Sequence, residues 1–67
     1  MRYTVEFDRE EDGRYIAEIP EIPGVMAYGA TQREAYNMAV ALALRVLAER
    51  IEHGEASLET RETLCFA

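Results

Sequence analysis

The sequence predicts a small α+β domain, in which an antiparallel sheet packs on one helix in the order β-β-β-α-β. Two observations predict the sheet: the first residues alternate between apolar and polar side chains, and the turn-forming pairs Asp12-Gly13 and Pro23-Gly24 follow. A third predicts the helix, because a capping signal opens a long apolar-rich stretch that ends at Gly54. At 67 residues, the chain is expected to form a single domain, residues 1–67.

The first two strands are expected to form a hairpin. Residues 2–8 and 14–19 alternate in polarity around the pair Asp12-Gly13, which favours a tight hairpin turn. The side chains expected to face inward are Tyr3, Val5, Phe7, Tyr15, Ala17 and Ile19. The turn is also rich in acidic residues, but it lacks the length and spacing of a calcium-binding loop, so a solvated turn is expected.

The third strand is expected at residues 25–28, after a loop that contains two prolines. Proline cannot donate to a sheet ladder, so Pro20 and Pro23 end the second strand. The pair Pro23-Gly24 suits the two central positions of a type II turn, because proline fixes φ and glycine accepts a positive φ. Gly29 then leads the chain into the helix.

The helix is expected at residues 32–53. Thr31 and Glu34 have the spacing of a capping box, in which each side chain binds the backbone N–H of the other residue. Arg50 and His53 suit the negative end of the helix dipole, and Gly54 suits the C′ position. After a linker at residues 55–59, residues 61–66 are expected to form either an edge strand or a frayed tail.

The predicted helix is apolar over more than half of its circumference, which is wider than one small sheet can cover. A chain of this size also has a marginal core, and its one cysteine, Cys65, cannot form a disulfide within the chain. A second copy of the protein is therefore the expected cover, giving a homo-oligomer, either a dimer or a tetramer. The expected interface residues are Tyr36, Val40, Leu44, Leu47 and Ile51. The alternative is that the C-terminal segment folds over this side of the helix.

The charge of the chain favours a basic protein partner. It carries thirteen acidic and seven basic side chains, for a net charge of −6. Such a surface repels phosphate backbones, which argues against direct nucleic-acid binding, and attracts basic proteins. The N-terminus has no signal-peptide pattern and no apolar run is long enough to span a bilayer, so a cytoplasmic protein without membrane contact is expected.

The sequence offers no constellation for catalysis, and we expect neither an enzyme nor a cofactor. The chain has one histidine, His53, and one cysteine, Cys65, and the two are not close in sequence. The sequence therefore indicates neither a nucleophile–base pair nor a metal site. The glycines do not match a phosphate-binding pattern.

Residues 3–52 resemble the N-terminal domain of the HicB-like antitoxin family. The specific part is P-x-x-P-G followed at fixed spacing by T-x-x-E-A. The matching residues are Asp12, Gly13, Tyr15, Ala17, Ile19, Pro20, Ile22, Pro23, Gly24, Gly29, Thr31, Glu34 and Ala35. The chain departs from the family at Val25, where a cysteine is frequent, and at Ala30, where an acidic residue is usual.

This resemblance implies a partial RNase H-like fold and an antitoxin that binds HicA, a small basic toxin that cleaves mRNA with a catalytic histidine. The antitoxin would act by steric masking of the toxin. Many relatives add a C-terminal DNA-binding domain, and none is expected within these 67 residues. The residues expected to contact the partner are Glu18, Glu21 and Tyr28.

Two alternatives belong to other functional classes. The first is a self-assembling module of the same fold without a toxin partner, which the wide apolar side of the helix favours. The second, less favoured, is a residual nuclease in which Asp8 and Glu34 hold Mg²⁺. Two-metal catalysis requires several convergent carboxylates, and the capping role already accounts for Glu34.

Overall fold

The fold was derived from a computed structural model, which describes residues 2–57 and 64–67. It is an α+β fold in which a small antiparallel sheet packs against one helix, as the sequence predicts. The elements in chain order are β1 (Arg2–Tyr3), β2 (Glu6–Arg9), β3 (Tyr15–Glu18), β4 (Met26–Gly29), α1 (Gln32–Glu52) and β5 (Cys65–Phe66).

The main sheet has three antiparallel strands in the order β2-β3-β4. Its register aligns Asp8 with Ile16 and Ile16 with Tyr28, so these three side chains form one row across the sheet. The predicted hairpin joins β2 to β3, and it closes with a bond of 2.8 Å from the Glu10 N–H to the carbonyl oxygen of Arg14. Alternating side chains along each strand face α1 on one side and solvent on the other.

The predicted first strand, residues 2–8, is divided in the structure. Its first part, β1, pairs in parallel with β5, and its second part, β2, pairs with β3. The change of partner occurs at Thr4 and Val5. The Val5 N–H donates to the carbonyl oxygen of Ala67 at 2.7 Å, while the Thr4 N–H donates to the carboxylate of Glu21 at 2.9 and 3.1 Å. One continuous strand was therefore the wrong expectation, because distant segments divide it.

The loop between β3 and β4 is part of the core rather than a simple connection. The Val25 N–H donates to the carbonyl oxygen of Ile22 at 3.2 Å across Pro23-Gly24, and Gly24 has a φ of +86°. These values agree with the predicted type II turn. Ile19, Ile22 and Val25 are the largest fully buried side chains of the described chain. The third strand consequently begins one residue later than expected, at Met26.

Both ends of α1 follow the sequence signals closely. The Glu34 N–H donates to Oγ1 of Thr31 at 3.1 Å, and Oε2 of Glu34 accepts from the Thr31 N–H at 3.2 Å, which completes the capping box. At the other end, the Gly54 N–H donates to the carbonyl oxygen of Ile51 and the Glu55 N–H to that of Arg50. This pair of bonds is a Schellman motif, with Gly54 at a φ of +74°.

The core lies between α1 and the sheet, and small residues bring the two layers close together. The buried side of α1 is formed by residues spaced four apart, Ala35, Ala39, Ala43 and Leu47. Gly29, at the end of β4, marks the closest approach. A Cβ atom at this position would lie 2.4 Å from the backbone nitrogen of Ala35. Glycine is therefore required here by contact with the helix.

Burial of the predicted inward-facing residues falls off toward the edge of the sheet. Val5 is buried and Tyr3 is half-buried, with its ring stacked on that of Phe66 at 5.3 Å. Phe7 is 40% exposed and stacks on Tyr36 of α1 at 6.4 Å. The helix packs mainly over β3 and β4, and it leaves Phe7 at the rim of the core.

The final strand is confirmed at Cys65–Phe66, with Phe66 half-buried and Cys65 exposed. The rest of the predicted strand up to residue 63 and the last two residues of the predicted linker lie outside the described residues. In the described part of the chain, α1 lacks the length of apolar sequence that crossing a bilayer would require.

Candidate partner-binding surfaces

The side of the main sheet that faces away from α1 is the first candidate surface, here called the outer face. The strand register places two rows of side chains on this side of the sheet. Glu6, Glu18 and Met26 form one row, and the row that begins with Asp8 is the next. The outer face is formed by Glu6, Asp8, Ile16, Glu18, Met26 and Tyr28. Because the sheet has only one helix, this side of it is left without a covering layer among the described elements.

The outer face exposes large apolar side chains at its β4 side. Met26 is 47% exposed and Tyr28 is 44% exposed, and the neighbouring Ile16 is half-buried. Aromatic residues and methionine are enriched at protein–protein interfaces. This part of the sheet therefore has the composition of an interface centre.

Carboxylates border that apolar area. Glu6 and Glu18 lie directly opposite each other on adjacent antiparallel strands, with Asp8 in the next row. Like charges in this position destabilise a sheet, by up to about 1 kcal/mol per pair. The arrangement thus sacrifices some stability and concentrates negative potential beside Met26, where a cationic partner would relieve the repulsion.

Tyr28 already binds a cation from its own chain. The guanidinium carbon of Arg14 lies 4.8 Å from the centroid of the Tyr28 ring, in a cation–π contact. Asp12 holds that guanidinium in place, with Oδ2 2.8 Å from Nε of Arg14. Asp12 also accepts the Arg14 N–H at 3.0 Å, and chiefly this bond lowers the pKa of Asp12 below its ordinary value. The Tyr28 ring is therefore exposed at its rim and already occupied by the guanidinium of Arg14.

Of the three residues predicted to contact a partner, the structure brings Glu18 and Tyr28 together on the outer face. Glu21 instead lies in the loop before β4, where both its carboxylate oxygens accept the Thr4 N–H. Hydrogen bonds from its own backbone N–H and from Thr4 lower the pKa of Glu21. Glu21 therefore has a structural role, because its carboxylate accepts the backbone N–H of Thr4 between β1 and β2. Contact of these residues with a partner stays a prediction.

The second candidate surface is the side of α1 beyond the core, here called the helix stripe, formed by Val40, Leu44 and Ile51. Leu44 is 43% exposed, Ile51 is 39% exposed, and Val40 is half-buried. The other two residues of the predicted interface are occupied within the chain. Leu47 is only 7% exposed and belongs to the core, and the Tyr36 hydroxyl donates to the carbonyl oxygen of Phe66 at 3.0 Å. Their participation in an oligomer is untested.

The carboxylates considered for a metal have other positions and bonds. Asp8 lies on the outer face and accepts the N–H of Arg9 at 2.7 Å, whereas the Glu34 carboxylate binds the N–H groups of Ala30 and Thr31. Across residues 2–57 and 64–67, no three histidine, cysteine or acidic residues are grouped as a metal site would require. His53 lies 3.9 Å from Glu55 at the exposed helix end.

Four residues of the outer face were not predicted as neighbours of Glu18 and Tyr28: Glu6, Asp8, Ile16 and Met26. The signal for them was the alternation of side chains in each strand, which assigns all six to one side once the register is known. The hairpin turn gave the register of β2 with β3. The register of β4 depends on the buried loop, whose turns were only partly recognisable.

Comparison with known proteins gives one partial similarity. No family model matches the chain, and no solved structure matches it. The UPF0150 protein Ta0767 of Thermoplasma acidophilum is 43% identical over 35 residues, which cover 52% of this chain and 51% of that protein. The chain thus spans about half the length of the curated relative it matches. The similarity gives a loose suggestion of family and does not extend to the whole chain.

Proposed function

We propose that the protein is a non-catalytic, antitoxin-like binding protein that neutralises a small basic HicA-type toxin. The outer face covers the basic RNA-binding surface of the toxin and keeps mRNA away from its active site. The protein needs no reaction chemistry of its own for this role. The resemblance of residues 3–52 to HicB-like antitoxins supports the proposal, and the partial similarity to a UPF0150 protein is compatible with it.

The observation that carries the proposal is the composition of the outer face. Met26 and Tyr28 are exposed on the same strand, Glu18 lies beside Met26, and Glu6 lies beyond Glu18 as its unfavourable like-charged partner. Apolar anchors surrounded by charges are the usual anatomy of a specific interface. A basic partner would bury the anchors and neutralise the carboxylates in the same step.

Long-range electrostatics supports the same class of partner. The net charge of −6 attracts a cationic protein before contact, which raises the association rate and makes it dependent on salt. Tyr28 then offers an exposed aromatic side chain at the contact, with its ring already held against Arg14. We expect the basic RNA-binding surface of the toxin to match this combination of negative charge and exposed apolar side chains.

The test is co-expression with the small basic protein encoded beside this chain, followed by a binding measurement and an RNA-cleavage assay. Two charge reversals provide a matched pair. Glu18→Arg changes the outer face. Glu49→Arg makes the same change in net charge at an exposed position of α1, away from the outer face. We expect Glu18→Arg to weaken binding at least about tenfold and restore RNA cleavage, since charge pairs at an interface are worth a few kcal/mol.

The control variant should retain binding to within a small factor, because it alters only the general field. Equal losses for the two variants would refute docking at the outer face. If the toxin cleaves RNA at full rate in excess of this chain, the neutralising function itself is wrong.

A second candidate function is a self-assembling module without a toxin partner. The exposed apolar residues of the helix stripe favour it, because they do not require a basic protein as cover. A genome with no small basic toxin gene beside this one, together with a stable assembly of the purified chain, would favour this candidate. Capture and inhibition of a neighbouring toxin would contradict it.

A further inference from the structure

We propose that two copies of the chain pair through the helix stripe, with their α1 helices antiparallel and the two-fold axis next to Leu44. The occupant of the stripe is thus a second copy of this protein. The inference does not rest on the proposed toxin-binding function, because it concerns the opposite layer of the molecule. It also narrows the predicted interface to Val40, Leu44 and Ile51 as its exposed part.

The stripe is a continuous strip along one side of the helix. With 3.6 residues per turn, spacings of four and seven residues place Val40, Leu44 and Ile51 on nearly the same side. The sheet covers the neighbouring side, through the buried alanines and Leu47. Leu44 and Ile51 remain about 40% exposed in a helix that is capped at both ends.

Charge indicates which partner fits. The chain has a net charge of −6, yet the stripe contains no carboxylate. The acidic residues of α1, Glu34, Glu49 and Glu52, project from other sides of the helix, as the 100° rotation per residue requires. Two copies can therefore approach through this strip without bringing acidic side chains against each other, whereas an approach through the outer face would oppose their carboxylates.

The position of Arg33 selects the antiparallel arrangement. Arg33 lies on the stripe side near the start of α1, where its guanidinium carbon is 6.0 Å from the centroid of the Tyr36 ring. A parallel pair would place Arg33 against Arg33. An antiparallel pair places it beside the last turn of the other helix, where the helix dipole is negative and Glu55 follows. Around a two-fold axis at Leu44, Val40 of one copy then faces Ala48 of the other.

The test is sedimentation equilibrium of the full chain from low to high micromolar concentration. We expect a dimer for the wild type and a monomer for Leu44→Glu, because the substitution sets two carboxylates against each other on the axis. Met38→Glu is the matched control. Met38 is 56% exposed on the same helix but lies on its other flank, so this variant should remain dimeric. Circular dichroism confirms that both variants are folded.

A cross-linking experiment tests the geometry. In a Cys65→Ser background, Leu44→Cys should form a disulfide between copies with oxidised glutathione, whose S–S bond breaks as it takes up the two electrons and two protons and leaves as two molecules of reduced glutathione. Met38→Cys should form far less, since its thiols lie on the outer flanks of the pair. Equal yields of the two disulfides would refute the two-fold axis at Leu44.

A monomeric wild type would overturn the proposal, and it would mean that the stripe is covered within one chain or serves a different partner. A dimer that survives Leu44→Glu as well as it survives Met38→Glu would also overturn it. Neither result bears on binding of a basic toxin, which the Glu18→Arg and Glu49→Arg pair tests separately.

Discussion

The outer face and the helix stripe both expose large apolar side chains, but they differ in what surrounds those side chains. On the outer face, Met26 lies beside Glu18, and Glu6 lies opposite Glu18 on its other side. Leu44 and Ile51 of the stripe have no acidic residue on their side of the helix. We therefore expect the first surface to repel a copy of itself and to favour a basic protein, and the second to accept a copy of itself.

We infer from this difference that a small two-layer domain can offer two surfaces to different partners. The sheet and the helix each use one side to form the core, so each layer has a second side that lies outside the core of the described residues. The charges then decide which contact each side can make, because apolar area alone does not distinguish partners. We expect a dimer that displays its two acidic outer faces away from the shared helices.

The largest expected effect is that a substitution on either surface impairs only the contact assigned to that surface. Leu44→Glu should abolish self-association and leave the affinity of each chain for a basic partner unchanged to within about twofold. Glu18→Arg should weaken partner binding and leave the dimer intact. Sedimentation and a binding titration on both variants measure this. If each variant impaired both properties, the two surfaces would be coupled and the comparison would fail.

The next effect concerns Gly29, which joins the strand of the outer face to the helix. Gly29→Ala should lower the free energy of unfolding by about 3 kcal/mol, because its Cβ would meet helix backbone at 2.4 Å. Gly24→Ala is the control, since its Cβ has open space and only the positive φ opposes it, at about 1 to 2 kcal/mol. Urea unfolding measures both. A smaller loss at Gly29 than at Gly24 would contradict the close approach.

A moderate effect is expected at the capping box, which fixes where the helix begins. Thr31→Ala should lower the free energy of unfolding by about 1 kcal/mol, because the Glu34 N–H loses its acceptor. Gln32→Ala, on the adjacent exposed residue, should have little effect. Thermal unfolding of both variants is the measurement. Equal stability of the Thr31→Ala and Gln32→Ala variants would show that the capping box does not stabilise α1.

The smallest effect is a pH dependence that belongs to the sheet layer. The folded-state pKa of Glu21 lies below that of a glutamate in the unfolded chain. Its contribution to stability is therefore present above the unfolded pKa and is lost as pH falls through the folded pKa. Glu21→Gln should be less stable than the wild type at neutral pH, and the gap should close in acid. Urea unfolding at several pH values tests this.

Glu11→Gln makes the same chemical change in the hairpin, away from Thr4, and serves as the control for that series. The Glu21→Gln gap should change with pH by more than the gap of this variant. Equal pH dependence of the two gaps would mean that the Glu21 carboxylate does not stabilise the N–H of Thr4.

The helix and the turns could be predicted because their signals are local. Thr31 and Glu34 determine the start of α1 through bonds only three residues apart, and Gly54 determines its end. The division of the first strand could not be predicted in the same way. It depends on Ala67 and Glu21, which lie far along the chain from Val5 and Thr4 and reach them only in the folded state.

The candidate surfaces were predictable in part, for a similar reason. Leu44 and Leu47 are both leucines on the apolar side of α1, so the sequence does not distinguish them. The alanines of α1 pack closely on the sheet, and this packing buries Leu47 and leaves Leu44 exposed. On the sheet, Glu18 and Tyr28 were expected at a partner surface, but Met26 was not singled out. Its position beside Glu18 follows from the register of β4, which non-local packing determines.

The pairing of β1 with β5 has a consequence for the order in which the molecule opens. It joins Tyr3 to Phe66 and so closes a loop of nearly the whole chain, with only a two-residue strand on each side. Closing a longer loop costs more chain entropy, and so short a ladder offsets little of it. We expect the amide hydrogens of Val5 and Ala67 to exchange with solvent before those of α1, so that the ends of the chain separate while the three-stranded sheet and the helix remain folded.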